Sequence, residues 1–125
     1  MSGYAVIDFE TTGLFPQKHD RVVEIAVVLL NVQGELEREW SSLVNPERDV
    51  GPTHIHGIHA RDVLGAPTFR VVGHVLDSVR ERTIVAHNAV FDSRFLDYEL
   101  TRAGWPEPRP LSAVCTMNLV AGSPS

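Results

Sequence analysis

The 125-residue chain is 43% hydrophobic and 22% charged, a balance that fits one folded domain and excludes disordered and fibrous classes. A net charge of -5 excludes a protein that coats nucleic acid through many phosphate contacts, because that mode needs dense Lys and Arg. The single cysteine, Cys115, permits no internal disulfide and suggests a reducing, cytoplasmic setting. The longest apolar run, Ile25 to Leu30, is far shorter than the roughly 20 residues of a membrane helix, so no membrane association is expected.

Tyr4 to Glu10 reads as a buried strand, and Thr11 to Asp20, with Gly13 and Pro16, as the loop leaving it. Arg21 to Val32 is rich in Val, Ile and Leu and runs to the turn signal Gln33-Gly34, after which Leu36 to Val44 continues as a third strand up to Asn45-Pro46. These three predict an antiparallel meander. Gly51 to Pro67 reads as loop with one short helical turn around Ala60 to Leu64. From Thr68, a capping residue, Phe69, Val72, Val75, Leu76 and Val79 recur at helical spacing and predict a helix to Val79 or Arg80.

Thr83 to Ala86 is a short buried strand. Asn88 can cap a second helix from about Ala89 to Ala103, where Phe91, Phe95, Leu96, Tyr98 and Leu100 form the apolar face and Gly104 with Pro106 supplies the stop. Leu111 to Thr116 reads as a fifth strand and Met117 to Ala121 as a helix start. The order predicts a single α/β domain over residues 1–125, its mixed sheet antiparallel in the first half, parallel in the second and flanked by helices.

Alternation along the first strand places Asp8 and Glu10 on one face and Ile7 and Phe9 on the other. Residues two apart on a strand lie roughly 6.5 to 7 Å apart, close enough for hard cations to bridge and for like charges to repel. Such a pair at a solvated strand end is unremarkable, but here it follows an apolar strand and precedes Thr11-Thr12-Gly13, whose glycine allows close backbone approach to a ligand. Asp92 lies in the first turn of its predicted helix, where the helix dipole favours a carboxylate. It also follows a strand end, where α/β sheets assemble sites, which makes it a third candidate ligand.

The run Ile7-Asp8-Phe9-Glu10-Thr11-Thr12-Gly13-Leu14 resembles the first motif of the DnaQ-like, DEDD-type 3'-to-5' exonucleases, and His87 to Asp92 resembles the second. Ile55-His56-Gly57-Ile58 and Cys115-Thr116-Met117 are similar to further recurrent pieces, so the likeness spans nearly the whole chain. The resemblance implies a ribonuclease H-like sheet and removal of terminal nucleotides from a nucleic-acid 3' end, with single-stranded DNA the expected substrate and a DNA polymerase subunit a candidate partner. It implies that Asp8, Glu10 and Asp92 hold two Mg2+ or Mn2+ ions. Thr11, Thr12, Gly13 and Leu14 would contact the 3'-terminal nucleotide, Leu14 packing on its base, with His56, Asn88 and Phe91 near the same groove. For Phe91 a core role competes evenly.

The family's third motif carries a general-base histidine and a fourth acid, and residues 116–125 contain neither. The chain is therefore expected to be the N-terminal part of such a domain, C-terminally truncated with motifs one and two but not three, and to cleave poorly alone. The alternative is a catalytically impaired nucleic-acid or protein-binding fragment. A third reading, zinc held by His54, His56 and His59, lacks a second ligand pair at finger-like spacing.

Overall fold

A computed structural model of the chain describes residues 3–72, 79, 82–86, 89–104 and 112–115. Strand β1 (Tyr4–Thr11) follows the period-two pattern: Ala5, Ile7 and Phe9 are buried, while Asp8 is exposed and Glu10 half-buried. It pairs antiparallel with β2 (Val22–Leu30), which pairs antiparallel with β3 (Leu36–Leu43). Expected to run to Val32, β2 stops at Leu30 because Asn31 turns the chain. Its Oδ1 accepts from the N–H groups of Gln33 and Glu35 at 3.0 and 2.9 Å, and Gly34 supplies the positive φ that the turn requires.

Two single-turn helices follow, α1 (Thr53–His56) and α2 (Ala60–Val63), then α3 (Phe69–Val72). Only the α2 turn was expected in this stretch. A four-residue helix has no periodicity to read; α1 is closed by Gly57, whose left-handed φ lets its N–H reach Thr53 O at 2.7 Å. The predicted continuation of α3 through residues 73–78 lies outside the described residues. Strand β4 (Thr83–Ala86) runs parallel to β1, helix α4 covers Ala89–Arg102, and β5 (Ser112–Cys115) runs parallel to β4. The sheet order is β3-β2-β1-β4-β5, the mixed sheet expected. Among the described residues no helix is long and apolar enough to cross a membrane.

One face of the sheet carries the main core, in which Ile7, Phe9, Ile25 and Val27 meet Phe69 and the α4 residues Phe95, Leu96 and Leu100. A second, smaller core joins Val23 to Val50, Ile58 and Val63 under the α1–α2 segment. A β-bulge allows β2 to serve both. Glu10 opposes Glu24 but Thr11 opposes Val22, so Val23 is the extra residue, and the slip sends Val22 into the main core and Val23 into the second.

Helix α4 is fastened to the start of β2 by a buried ion pair. Glu99 is fully buried. It accepts from Arg21 Nη2 at 2.7 Å, from Arg21 Nε at 3.0 and 3.1 Å, and from the Val22 N–H at 3.0 Å. Removing one member of such a pair leaves an uncompensated buried charge. Glu99→Gln is therefore expected to lower the unfolding free energy by about 3 kcal/mol, at the low end for a broken buried pair, read as a shift in the urea midpoint. The double variant Arg21→Met/Glu99→Leu should recover most of that loss.

Candidate active site

Asp8 and Glu10 come forward together on the face of β1 away from the main core, as alternation required. The antiparallel register adds a third acid, because Glu24 on β2 is the direct partner of Glu10. The Glu10 carboxyl is held above its ordinary range, first by burial and then by the charges of Asp8 and Glu24. His56 opposes this when it carries a proton. The hydrogen bonds of His56 define its neutral form: the Ile58 N–H donates to Nδ1 at 3.0 Å, leaving Nε2 to donate to Val50 O at 2.8 Å. With both ring nitrogens occupied by backbone, His56 braces the 50–58 loop beside Glu10.

The loop after β1 is shaped by Asp20, a residue that sequence reasoning passed over. Its Oδ1 accepts from Thr12 Oγ1 at 2.8 Å and Arg48 Nη1 at 3.1 Å, and its Oδ2 from the Phe15 N–H at 3.1 Å. Thr12 is buried and receives the Arg21 N–H at 3.0 Å, while Thr11 Oγ1 donates to Gly13 O at 2.7 Å. A Cβ on Gly13 would collide with the Asp20 carboxylate, and one on Gly51 with Thr12 O, so both glycines are required by close approach. The closed loop leaves Leu14 66% exposed, free to meet a ligand.

Asp92 is 8% exposed and has an interaction partner. Helix α4 packs on the main core through Phe95, Leu96 and Leu100. Among the described residues no three Asp, Glu, His or Cys side chains are grouped to hold one ion. The acids brought together are Asp8, Glu10 and Glu24, of which Asp8 and Glu10 offer the hard oxygen donors that Mg2+ and Mn2+ prefer. Phe91 is half-buried and packs against the main core with its ring 4.9 Å from that of Phe95. Asn88, His87 and the helix start at Met117 lie outside the described residues. His59 is engaged with Asp62 in a capping box and His54 is exposed, so neither joins His56 around a zinc ion. Sequence signals for the missed residues were modest: Glu99 is an acid on the apolar stripe of α4, and Glu24 interrupts an apolar strand.

A five-stranded mixed sheet with paired carboxylates at the end of its central strand defines a nuclease-type α/β domain. Residues 5–123 match the Exonuclease family (RNase_T), and the chain belongs to it. It is 34% identical over 99 residues to the DNA polymerase III subunit epsilon of Rickettsia prowazekii, a match covering 77% of this chain and 43% of that protein. The chain thus spans under half the length of that curated relative. Exonuclease X in complex with 5' overhanging duplex DNA superposes with a TM-score of 0.65 at 32% identity, covering 95% of this chain and 63% of that one. E. coli Exonuclease I in complex with a dT13 oligonucleotide superposes at 0.80 with 18% identity, covering 95% and 29%. The fold is the ribonuclease H-like exonuclease fold.

A raised carboxyl value means that the native state holds the proton more tightly than the unfolded chain. The associated stability is present below the ordinary value of 4.5 and is lost as pH rises through the folded value. Glu10→Gln is therefore expected to raise the melting temperature at pH 7 in EDTA, with the gain fading at pH 4; thermal scans at the two pH values test this.

Proposed function

We propose that this chain provides a 3'-to-5' exonuclease site that hydrolyses terminal phosphodiester bonds of DNA, with Asp8 and Glu10 holding Mg2+ or Mn2+ and Asp92 completing the set. The observation that carries the reading is the Asp8–Glu10 pair on one strand face with Glu24 directly opposite Glu10. Divalent cations, when bound, supply a water of lowered pKa and neutralise charge on the leaving oxygen.

The chain's own residues do the rest. Asp8 and Glu10 present carboxyl oxygens from one strand face, where a cation would bridge them. The Thr11–Leu14 loop, fixed by Asp20, presents the exposed Leu14 to the terminal base, and His56 holds the neighbouring loop at Glu10. Single-stranded 3' ends, attachment to a polymerase subunit and a cytoplasmic location extend the same reading. The second reading is a unit that binds nucleic acid or protein without turnover.

Oligonucleotides labelled at either end, incubated with the protein and Mn2+, separate the two. Stepwise shortening from the 3' end that disappears in Asp8→Asn supports the exonuclease; retention of an intact strand supports binding alone. In parallel, Mn2+ at a hundredfold excess over its Kd is expected to stabilise the native state by about 2.7 kcal/mol, and Asp8→Asn should remove most of the resulting rise in melting temperature. No rise in the parent protein would overturn the metal site itself.

A further inference from the structure

Leu14 stands exposed on the segment from Thr12 to Arg21, which holds no helix or strand except the 3-10 turn Pro16–Lys18. Side-chain hydrogen bonds and steric fit must therefore fix its position. The neck of the segment is closed by the Thr12 N–H on Arg21 O at 2.8 Å. Inside it, Asp20 grips both sides of Leu14, accepting from Thr12 Oγ1 before it and from the Phe15 N–H after it. The φ of Gly13 is not in the left-handed region, and the three atoms nearest a Cβ placed there are Cγ, Oδ1 and Oδ2 of Asp20. Glycine is needed at this position to admit the carboxylate.

Arg48, from the loop after β3, reaches into this grip. Its Nη1 donates to His19 O at 3.0 Å and to Asp20 Oδ1 at 3.1 Å, and its Nε to Asp49 O at 3.2 Å. The Asp49 carboxylate in turn accepts from the Gly51 N–H at 2.8 Å, and Gly51 lies against Thr12 O. Val50 O, between them, is bonded to His56 Nε2. A continuous set of contacts thus runs from the Leu14 segment through Arg48 to the residue that borders Glu10.

The backbone is least relaxed where the two loops meet. Among the described residues, two that are not glycine have positive φ, His19 at 70° and Glu47 at 58°. Each immediately precedes one partner of the Asp20–Arg48 pair. Non-glycine residues keep such conformations only where surrounding contacts impose them. With Arg48 37% exposed, the ion pair itself adds little to global stability, so its main effect is to hold the two loops in one arrangement.

We propose that Arg48 and Asp20 form a latch that positions Leu14 against the 3'-terminal nucleotide, an inference that rests on the cleavage-site reading above. Both are positioning residues. Asp20 holds the segment that carries Leu14, and Arg48 ties that segment to the 46–51 loop and, through it, to His56. Neither has to touch the strand or a cation.

Fluorescence anisotropy on the full chain in Mn2+ tests the latch, with a 5'-labelled single-stranded DNA whose last linkage is a phosphorothioate to resist cleavage. Arg48→Met should weaken binding about tenfold, a loss expected when a positioning group shifts by a fraction of an ångström to about 1 Å. The melting temperature in EDTA and its Mn2+-induced rise should stay as in the parent. Arg48→Lys, which keeps a donor for His19 O or Asp20, should recover part of the loss. Asp20→Ala should weaken binding at least as much, and combining it with Arg48→Met should cost nothing further, because coupled residues do not add. If Asp20→Ala does not fold, the two Arg48 variants decide. Binding by the parent that Arg48→Met leaves unchanged would overturn the latch, as would additive losses in the double variant or an equal loss of the Mn2+ response. No binding by the parent, with its Mn2+-induced rise present, would overturn the strand site itself and the latch's role with it.

Discussion

The contact between Glu99 and Arg21 is the constraint on which the candidate site depends. A carboxylate with no solvent exposure must be matched by strong donors, and here three side-chain bonds from Arg21 and one from the Val22 backbone do so. The pair joins residues 78 positions apart, one on α4 and one at the entry to β2. It therefore sets where α4 lies against the sheet and, through Arg21, where the loop from Thr12 to Asp20 closes. The Arg21 N–H reaches Thr12 Oγ1, and the Thr12 N–H returns to Arg21 O at 2.8 Å. Helix position and loop conformation are thus coupled through one residue.

The bulge at Val23 plays the complementary role on the other face. Without the extra residue, Val22 and Val23 would point the opposite ways, and the segment holding α1 and α2 would lose its anchor in the sheet. That segment carries His56 to the side of Glu10 and Gly51 to the backbone of Thr12. The acidic face is consequently bordered by a packed wall rather than open solvent, which is why burial leads the causes of the raised Glu10 value.

Much of this was legible from the residues. Asp8 and Glu10 could be placed on one face because strand alternation is local, the hairpin because Gln33-Gly34 carries turn chemistry, and α4 because its apolar positions repeat at helical spacing. Features created by approach in three dimensions were not legible. The Glu99–Arg21 pair has no short-range signature, and Glu24 faces Glu10 only once the register is known. The grip of Asp20 on Thr12 spans eight residues, with nothing in the pattern to mark it. The third candidate acid, Asp92, was marked by its place just after a strand end and by the likeness of His87 to Asp92 to the family's second motif.

Asp92 and the anchored Glu99 stand seven positions apart on α4, a span of about 10 Å at 1.5 Å per residue. The helix thus acts as a lever with its fulcrum at the buried ion pair. A tilt of about 1° about that point would carry Asp92 by about 0.2 Å, the tolerance within which metal–ligand distances are judged acceptable. Under the proposed role of Asp92 as a ligand, a substitution far from the site that shifts the fulcrum by a fraction of a bond length would therefore tune or spoil cation coordination without touching a coordinating atom.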